Sequence, residues 1–195
     1  LVLAFEPTQD SPCEVRYVNP MQPPFPLALP APEGELSFLS RELLQTAREQ
    51  SRLSPRRRII QPFHKTNADP LHRMLNVVQP DSYIRPHRHL DPPKAEAWVL
   101  LSGALVFFTF DDTGSVRDCV LARAGGEIFG VDLVPGVFHS FIALEPDTTI
   151  YEVKTGPYAA SNDKTFAPWA PAENSDDTTA YVDSLRQYAQ SKGVI

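Results

Sequence analysis

Between residues 61 and 170 the chain runs as short stretches of β-branched and aromatic residues, broken at regular intervals by turn residues. Leu105–Phe110 and Val116–Leu121 flank Asp111-Asp-Thr-Gly114, and further reversals fall at Ala124-Gly-Gly-Glu127, Pro135-Gly136 and Glu145-Pro-Asp147. Antiparallel strands at that cadence read as a sandwich or a barrel. At 195 residues the chain can bury one substantial core, so one mainly β domain with appendages is expected.

The appendages differ in composition. Residues 1–34 hold eight of the 20 prolines, including Pro20-Met-Gln-Pro-Pro-Phe-Pro26, and sustain neither a helix nor a central strand. They read as an extended arm. Val15, Tyr17, Phe25, Leu27 and Leu29 suit packing along the barrel or a partner subunit; a disordered leader is the alternative. Residues 35–60 comprise an amphipathic helix and a connector. Apolar positions 36, 39, 43, 44 and 47 follow helical spacing from Leu36 to about Gln50, and Ser54-Pro55 stops the pattern. Arg52, Arg56, Arg57 and Arg58 then form a basic cluster, either paired with nearby carboxylates in a solvated loop or anchoring an anionic ligand. Residues 171–195 carry a tail and a second helix, Thr179 to Gln190. Its one face collects Tyr181, Val182, Leu185, Tyr188 and Ala189, with Asp176 and Asp177 near its start and Gly193 beyond its end.

Net charge is −6, which leaves no electrostatic footprint for nucleic acid at the level of the whole chain. Cys13 and Cys119 make neither a disulfide framework nor a metal spacing. No apolar run approaches the roughly 18 residues of a membrane span, and Leu1-Val-Leu-Ala-Phe5 is too short, without a basic flank, for a signal peptide. A cytoplasmic protein with no membrane partner is the expectation.

Chemistry enters with His87-Arg-His89, then Glu96, then His139. Residues two apart on a strand project to one face, so His87 and His89 suit a shared ion. Glu96 opens the apolar run Glu-Ala-Trp-Val-Leu-Leu, which reads as the next strand, and His139 follows the turn at Pro135-Gly136 with the parity of Phe141 and Ala143. An isolated His-x-His is usually a solvated or hydrogen-bonded pair. Here three of the five histidines share one pattern, and four N/O ligands from three strands suit one divalent transition metal: Mn, Fe, Ni or Zn, with Mn or Fe slightly favoured.

These motifs carry a resemblance. Pro80-Asp-Ser-Tyr-Ile-Arg-Pro-His-Arg-His89, then Glu96 with Gly103 seven residues on, then Pro135-Gly-Val-Phe-His139, is similar to the two metal motifs of the cupin superfamily. More narrowly the chain resembles the WbuC-type cupin metalloproteins, through Ser54-Pro-Arg, Phe63-His64, Arg73-Met-Leu-Asn76, Arg85-Pro-His-Arg-His89, Phe110-Asp-Asp-Thr-Gly114, Leu144-Glu-Pro146, Glu152-Val-Lys-Thr-Gly-Pro-Tyr158 and Asp163-Lys-Thr-Phe-Ala-Pro-Trp169. These span about residues 35 to 172. Departures from the general pattern are six residues between His89 and Glu96 instead of three or four, Asp81 for a glycine, Val134 for a proline and Ala143 for an asparagine. The resemblance implies a jelly-roll barrel, the double-stranded β-helix of cupins, holding a metal. Such proteins are often associated with bacterial surface-polysaccharide gene sets and form homodimers.

Further candidates rest on strand parity. If alternation holds across Pro86, then Tyr83 and Arg85 share the interior with His87 and His89, and Arg85 meets an internal carboxylate or an anionic substrate. Arg73 faces inward if its strand starts at Leu71. His64 and Tyr83 are the first candidates for a general base; His72 reads as ordinary strand decoration, and Lys154 and Tyr158 as closing the barrel or contacting a ligand. The leading expectation is a mononuclear metalloenzyme, an isomerase, decarboxylase or oxygenase, acting on a small oxygen-rich anionic or sugar-like ligand. Alternatives are a non-catalytic ligand-binding or regulatory module and a metal-free sugar epimerase.

Overall fold

Ten strands form two five-stranded sheets that face each other, as a computed structural model describing residues 25–195 shows. The strands are β1 (Arg58–Pro62), β2 (Leu71–Val78), β3 (His87–Arg88), β4 (Glu96–Ser102), β5 (Ala104–Phe110), β6 (Val116–Arg123), β7 (Gly130–Leu133), β8 (Phe138–Ala143), β9 (Thr148–Thr155) and β10 (Thr165–Phe166). Helices α1 (Arg41–Leu53) and α2 (Thr178–Ser191) flank them. One sheet runs β1-β2-β9-β4-β7 and the other β10-β3-β8-β5-β6, with every pair antiparallel. Strands distant in sequence are neighbours, β2 with β9 and β3 with β8, which is the jelly-roll arrangement: a mainly β, single-domain barrel.

Between the sheets, Trp98, Leu100, Leu105, Phe107, Leu133 and Ile150 pack into one cluster. Strand β5 is buried on both faces, which is why it reads as an apolar run interrupted only by Thr109. Its other face, Val106, Phe108 and Phe110, meets Val182, Leu185 and Ala189 of α2. The turn from β4 to β5 requires Gly103: its φ is +81°, and a Cβ there would lie 2.4 Å from Thr148 Oγ1.

Helix α1 starts later than apolar spacing alone implies. Ser40 accepts a hydrogen bond from the Leu43 amide at 3.1 Å and caps the helix, leaving Leu36, Phe38 and Leu39 exposed outside it. Ser54, held extended before Pro55, ends it. Strand β1 begins at Arg58, inside the expected connector. Its Ile59, with Val77, packs on Ala47 of α1, and Phe25 and Leu29 close over that cluster. The described part of the arm therefore lies along the barrel: Ala28 bridges Ile60 in parallel, and the Leu29 amide donates to the Ile60 carbonyl at 2.8 Å. Val15, Tyr17 and Cys13 lie outside the described residues. Helix α2 exceeds its expected span by one residue at each end. Among the described residues no helix is long and apolar enough to cross a membrane.

Candidate metal centre

Strand register builds the site. His87 on β3 pairs with His139 on β8, in one sheet, while Glu96 opens β4 in the other. All four side chains are buried: His87, His89, Glu96 and His139 are between 3 and 6 % exposed. One nitrogen from each of His87, His89 and His139 lies within 4.8 Å of the others. Glu96 flanks the trio, with Oε1 2.6 Å from His139 Nε2 and Oε2 3.4 Å from His89 Nε2.

The outer nitrogens settle the tautomers. His87 Nδ1 donates to the Arg85 carbonyl and His139 Nδ1 to the Val137 carbonyl, each at 2.9 Å, and His89 Nδ1 donates to the Asp163 carbonyl. A carbonyl can only accept, so each ring carries a proton on Nδ1 and turns Nε2 inward. His89 Nε2 is buried and makes no hydrogen bond. Burial, followed by the charges of Lys164 and His139, keeps His87 well below the usual imidazole pKa. Burial opposes ionisation of Glu96, but the imidazoles of His139 and His89 beside it prevail and hold its carboxyl well below the usual range. Three imidazoles that keep Nε2 for a ligand, beside an ionised carboxylate, would supply the donors a divalent cation needs. The donor set thus fits a metal ion, with His87, His89, His139 and Glu96 able to hold it.

The cluster lines a cavity of about 480 Å³ inside the barrel. Its wall includes His72, Met74 and Asn76 of β2, Trp98 of β4, and Ile150, Glu152 and Lys154 of β9; His64, Tyr158 and Lys164 also line it. Four carboxylates on this lining (Glu96, Glu152, Asp163, Glu173) face four cations (Arg56, Arg58, Lys154, Lys164). Asn76 donates to Glu152 at 2.8 Å. Burial and then the charge of Glu96 raise the Glu152 pKa, against Lys154.

Several expected residues lie elsewhere. Residues 82–86 belong to no strand, so alternation does not carry back across Pro86, and Ile84 lines the cavity in place of its neighbours. Tyr83 packs in the α2 cluster and donates its hydroxyl to the Pro171 carbonyl at 2.8 Å; burial pushes that phenol well above its usual range, outside any role as a base near neutrality. Arg85 meets neither a carboxylate nor the cavity. It donates to the Ala167 carbonyl at 2.8 Å, with its guanidinium 5.3 Å from the Phe166 ring centre. Arg73 also points away: β2 does start at Leu71, but its register with β9 turns His72, Met74 and Asn76 inward. His64 is at the cavity, stacked on His72 at 4.0 Å with ring planes 8° apart. His72 is 2 % exposed and lines the same cavity, more than strand decoration. Of the arginine cluster, Arg52, Arg57 and Arg58 pair with Asp147, Asp81 and Glu173. Sequence reasoning held Glu152 and Asp163 only within the resemblance and gave neither a role. The parity of Ile150, Glu152 and Lys154 on one apolar-bounded strand was the signal for the first.

Fold and cluster define a class of protein: a jelly-roll barrel whose interior gathers three histidines and a carboxylate around a cavity. A family model described as a domain of unknown function (DUF6016) matches residues 39–121. No curated protein matches the chain. Among solved structures, oxalate decarboxylase of Lactobacillus farciminis in a formate complex aligns at 19 % identity over 51 % of this chain and 28 % of its own, with a TM-score of 0.40. L-ribose isomerase of Cellulomonas parahominis aligns at 16 % identity over 58 % of this chain and 70 % of its own, TM-score 0.46. KdgF from a Halomonas species gives 14 %, 56 %, 87 % and 0.43. The chain thus spans about a quarter of the first of these and most of the other two, and the reading of the site rests on its own geometry.

Proposed function

We propose that the protein is a mononuclear metal-binding cupin of the WbuC type, an enzyme acting on a small, oxygen-rich anionic molecule. One observation carries the metal: three buried histidines, each committed at Nδ1 to a backbone carbonyl, direct Nε2 toward one point beside Glu96. An N/O donor set without thiolate suits manganese or iron. Bound there, the ion supplies Lewis-acid chemistry or, as iron, a site for dioxygen activation.

The anionic substrate class follows from charge. The lining's four carboxylates and four cations offset one another, so the charge of a divalent ion stays uncompensated until an anion enters. The protein's own groups would orient that anion and move protons. Lys164 lines the cavity, and Glu152, steadied by Asn76, is the wall carboxyl suited to accept or return a proton. His64 is the second such group. The convergence of three histidines and Glu96 weighs against a metal-free epimerase, which has no use for a shared ligand set.

The proposal places the protein in the cytoplasm as a homodimer. Val99, Leu101, Ile128 and Phe129, all exposed, support an interface. Elemental analysis and EPR on untagged protein purified without added metal test the central claim. Near one equivalent of manganese or iron, lost in His87→Ala and His139→Ala, is expected. Full metal content in both variants, or no metal and no uptake by the wild type, refutes it. A bound ion with no turnover on small acids and sugars would leave a ligand-binding module.

A further inference from the structure

Behind His89 lies a set of buried charges that metal ligation itself does not use. The side chains of Lys94, Asp163 and Lys154 are 1, 2 and 7 % exposed. Lys94 Nζ is 2.6 Å from Asp163 Oδ1, and Lys154 Nζ is 3.1 Å from Oδ2. Lys94 also donates to the Pro157 carbonyl. The main chain of Asp163 meets the metal site directly, since its carbonyl accepts the His89 Nδ1 proton.

Each member comes from a different place. Lys94 sits in the six-residue connection from His89 to Glu96, and Lys154 stands opposite Glu96 in the register of β4 with β9. Asp163 belongs to the turn-rich segment between β9 and β10. That segment has no ladder of its own to hold the Asp163 carbonyl in place. Lys94 grips it twice, at Pro157 and at Asp163. Two buried ammonium groups on one carboxylate are costly without further negative charge, which Glu152 and Glu96 supply to Lys154.

We propose that Lys94 and Asp163 are positioning residues for the metal: together they fix the carbonyl that holds the proton on His89 Nδ1 and aims Nε2 at the ion. The inference rests on the metal reading above. It also gives the long His89 to Glu96 connection a use, since that connection carries Lys94 behind the ligand it serves.

The probe is Co²⁺, titrated into the full-length metal-free protein and followed by calorimetry and by visible absorption. Lys94→Met is expected to weaken Co²⁺ binding about 10–100-fold and to alter the absorption bands. Its circular dichroism should match the wild type, Lys94→Arg should recover part of the affinity, and the surface control Lys192→Met should change nothing. Wild-type affinity and an unchanged spectrum in folded Lys94→Met overturn the inference while leaving the metal site standing. A wild type that takes up no Co²⁺ sinks the metal reading itself. Should Lys94→Met fail to fold, the double variant Lys94→Met/Asp163→Asn removes one charge of each sign. Loss of affinity there upholds the proposal, and retained affinity with an unchanged spectrum ends it.

Discussion

A buried imidazole with Nδ1 committed to a carbonyl keeps its Nε2 lone pair only while neutral, so the chemistry that receives a metal also makes the empty site acid-sensitive. Burial depresses the His87 pKa below its ordinary value of 6.5. Below about 6.5 the unfolded chain therefore takes up a proton that the folded chain refuses, and stability falls as pH falls. Glu96 works in the same direction lower down, because its depressed carboxyl favours the fold above the ordinary value of 4.5 and loses that contribution in acid. Metal-free protein should lose stability between pH 6.5 and 5 with a slope approaching about 1.4 kcal/mol per pH unit for each proton taken up. Guanidinium denaturation at several pH values measures this; His87→Asn should flatten the slope, and an equal slope in that variant would remove His87 as its source. The histidine cluster was legible in the sequence because the spacing of His87 and His89 needs only two residues of local geometry. Arg85 and Tyr83 were misplaced because parity was extended through Pro86, where the chain is not a strand.

Elements follow the same division between local and non-local causes. Helix α2 was readable within one residue at each end, since its apolar face is a property of its own sequence. It covers the outer face of the sheet that bears β5: Leu185, 6 % exposed, packs in the cluster with Phe108, Phe110 and Phe138. Leu185→Ala should cost about 2–5 kcal/mol in chemical denaturation, with metal stoichiometry unchanged because the metal cluster lies on the inner side. A cost under about 1 kcal/mol would show the helix to be loosely docked. The start of α1 was less legible, since a capping serine ends the helix before its apolar spacing does. Arg73 shows the limit more sharply: its strand begins where expected, but the face it presents is set by pairing with β9, some 80 residues away. A single sequence does not display that register. The same non-local register brings Glu152 and Lys154 to the cavity, and it is why the wall opposite the metal cluster went largely unread.

At the scale of the whole molecule, the arm is where the barrel and its surroundings meet. Its described part is fastened at several points, among them the bridge of Ala28 to Ile60, the donation by Gln61 to the Pro30 carbonyl at 2.9 Å, the donation by Arg56 to the Leu27 carbonyl at 3.1 Å, and the packing of Phe25 and Leu29 on Ala47, Ile59 and Val77. Leu27 and Ala28 also line the cavity. Deleting residues 1–34 should therefore do two things that a loose leader would not. Loss of two half-buried apolar side chains should lower stability by about 2–3 kcal/mol, read as a lower melting temperature. Loss of Leu27 and Ala28 should open the cavity to solvent, read as faster hydrogen exchange in β1 and β2. Sedimentation of the same variant separates this from assembly: if the arm serves only the barrel, the deleted protein keeps the wild type's number of subunits while melting lower. A smaller number of subunits with unchanged exchange in β1 and β2 would instead assign the arm to a subunit contact.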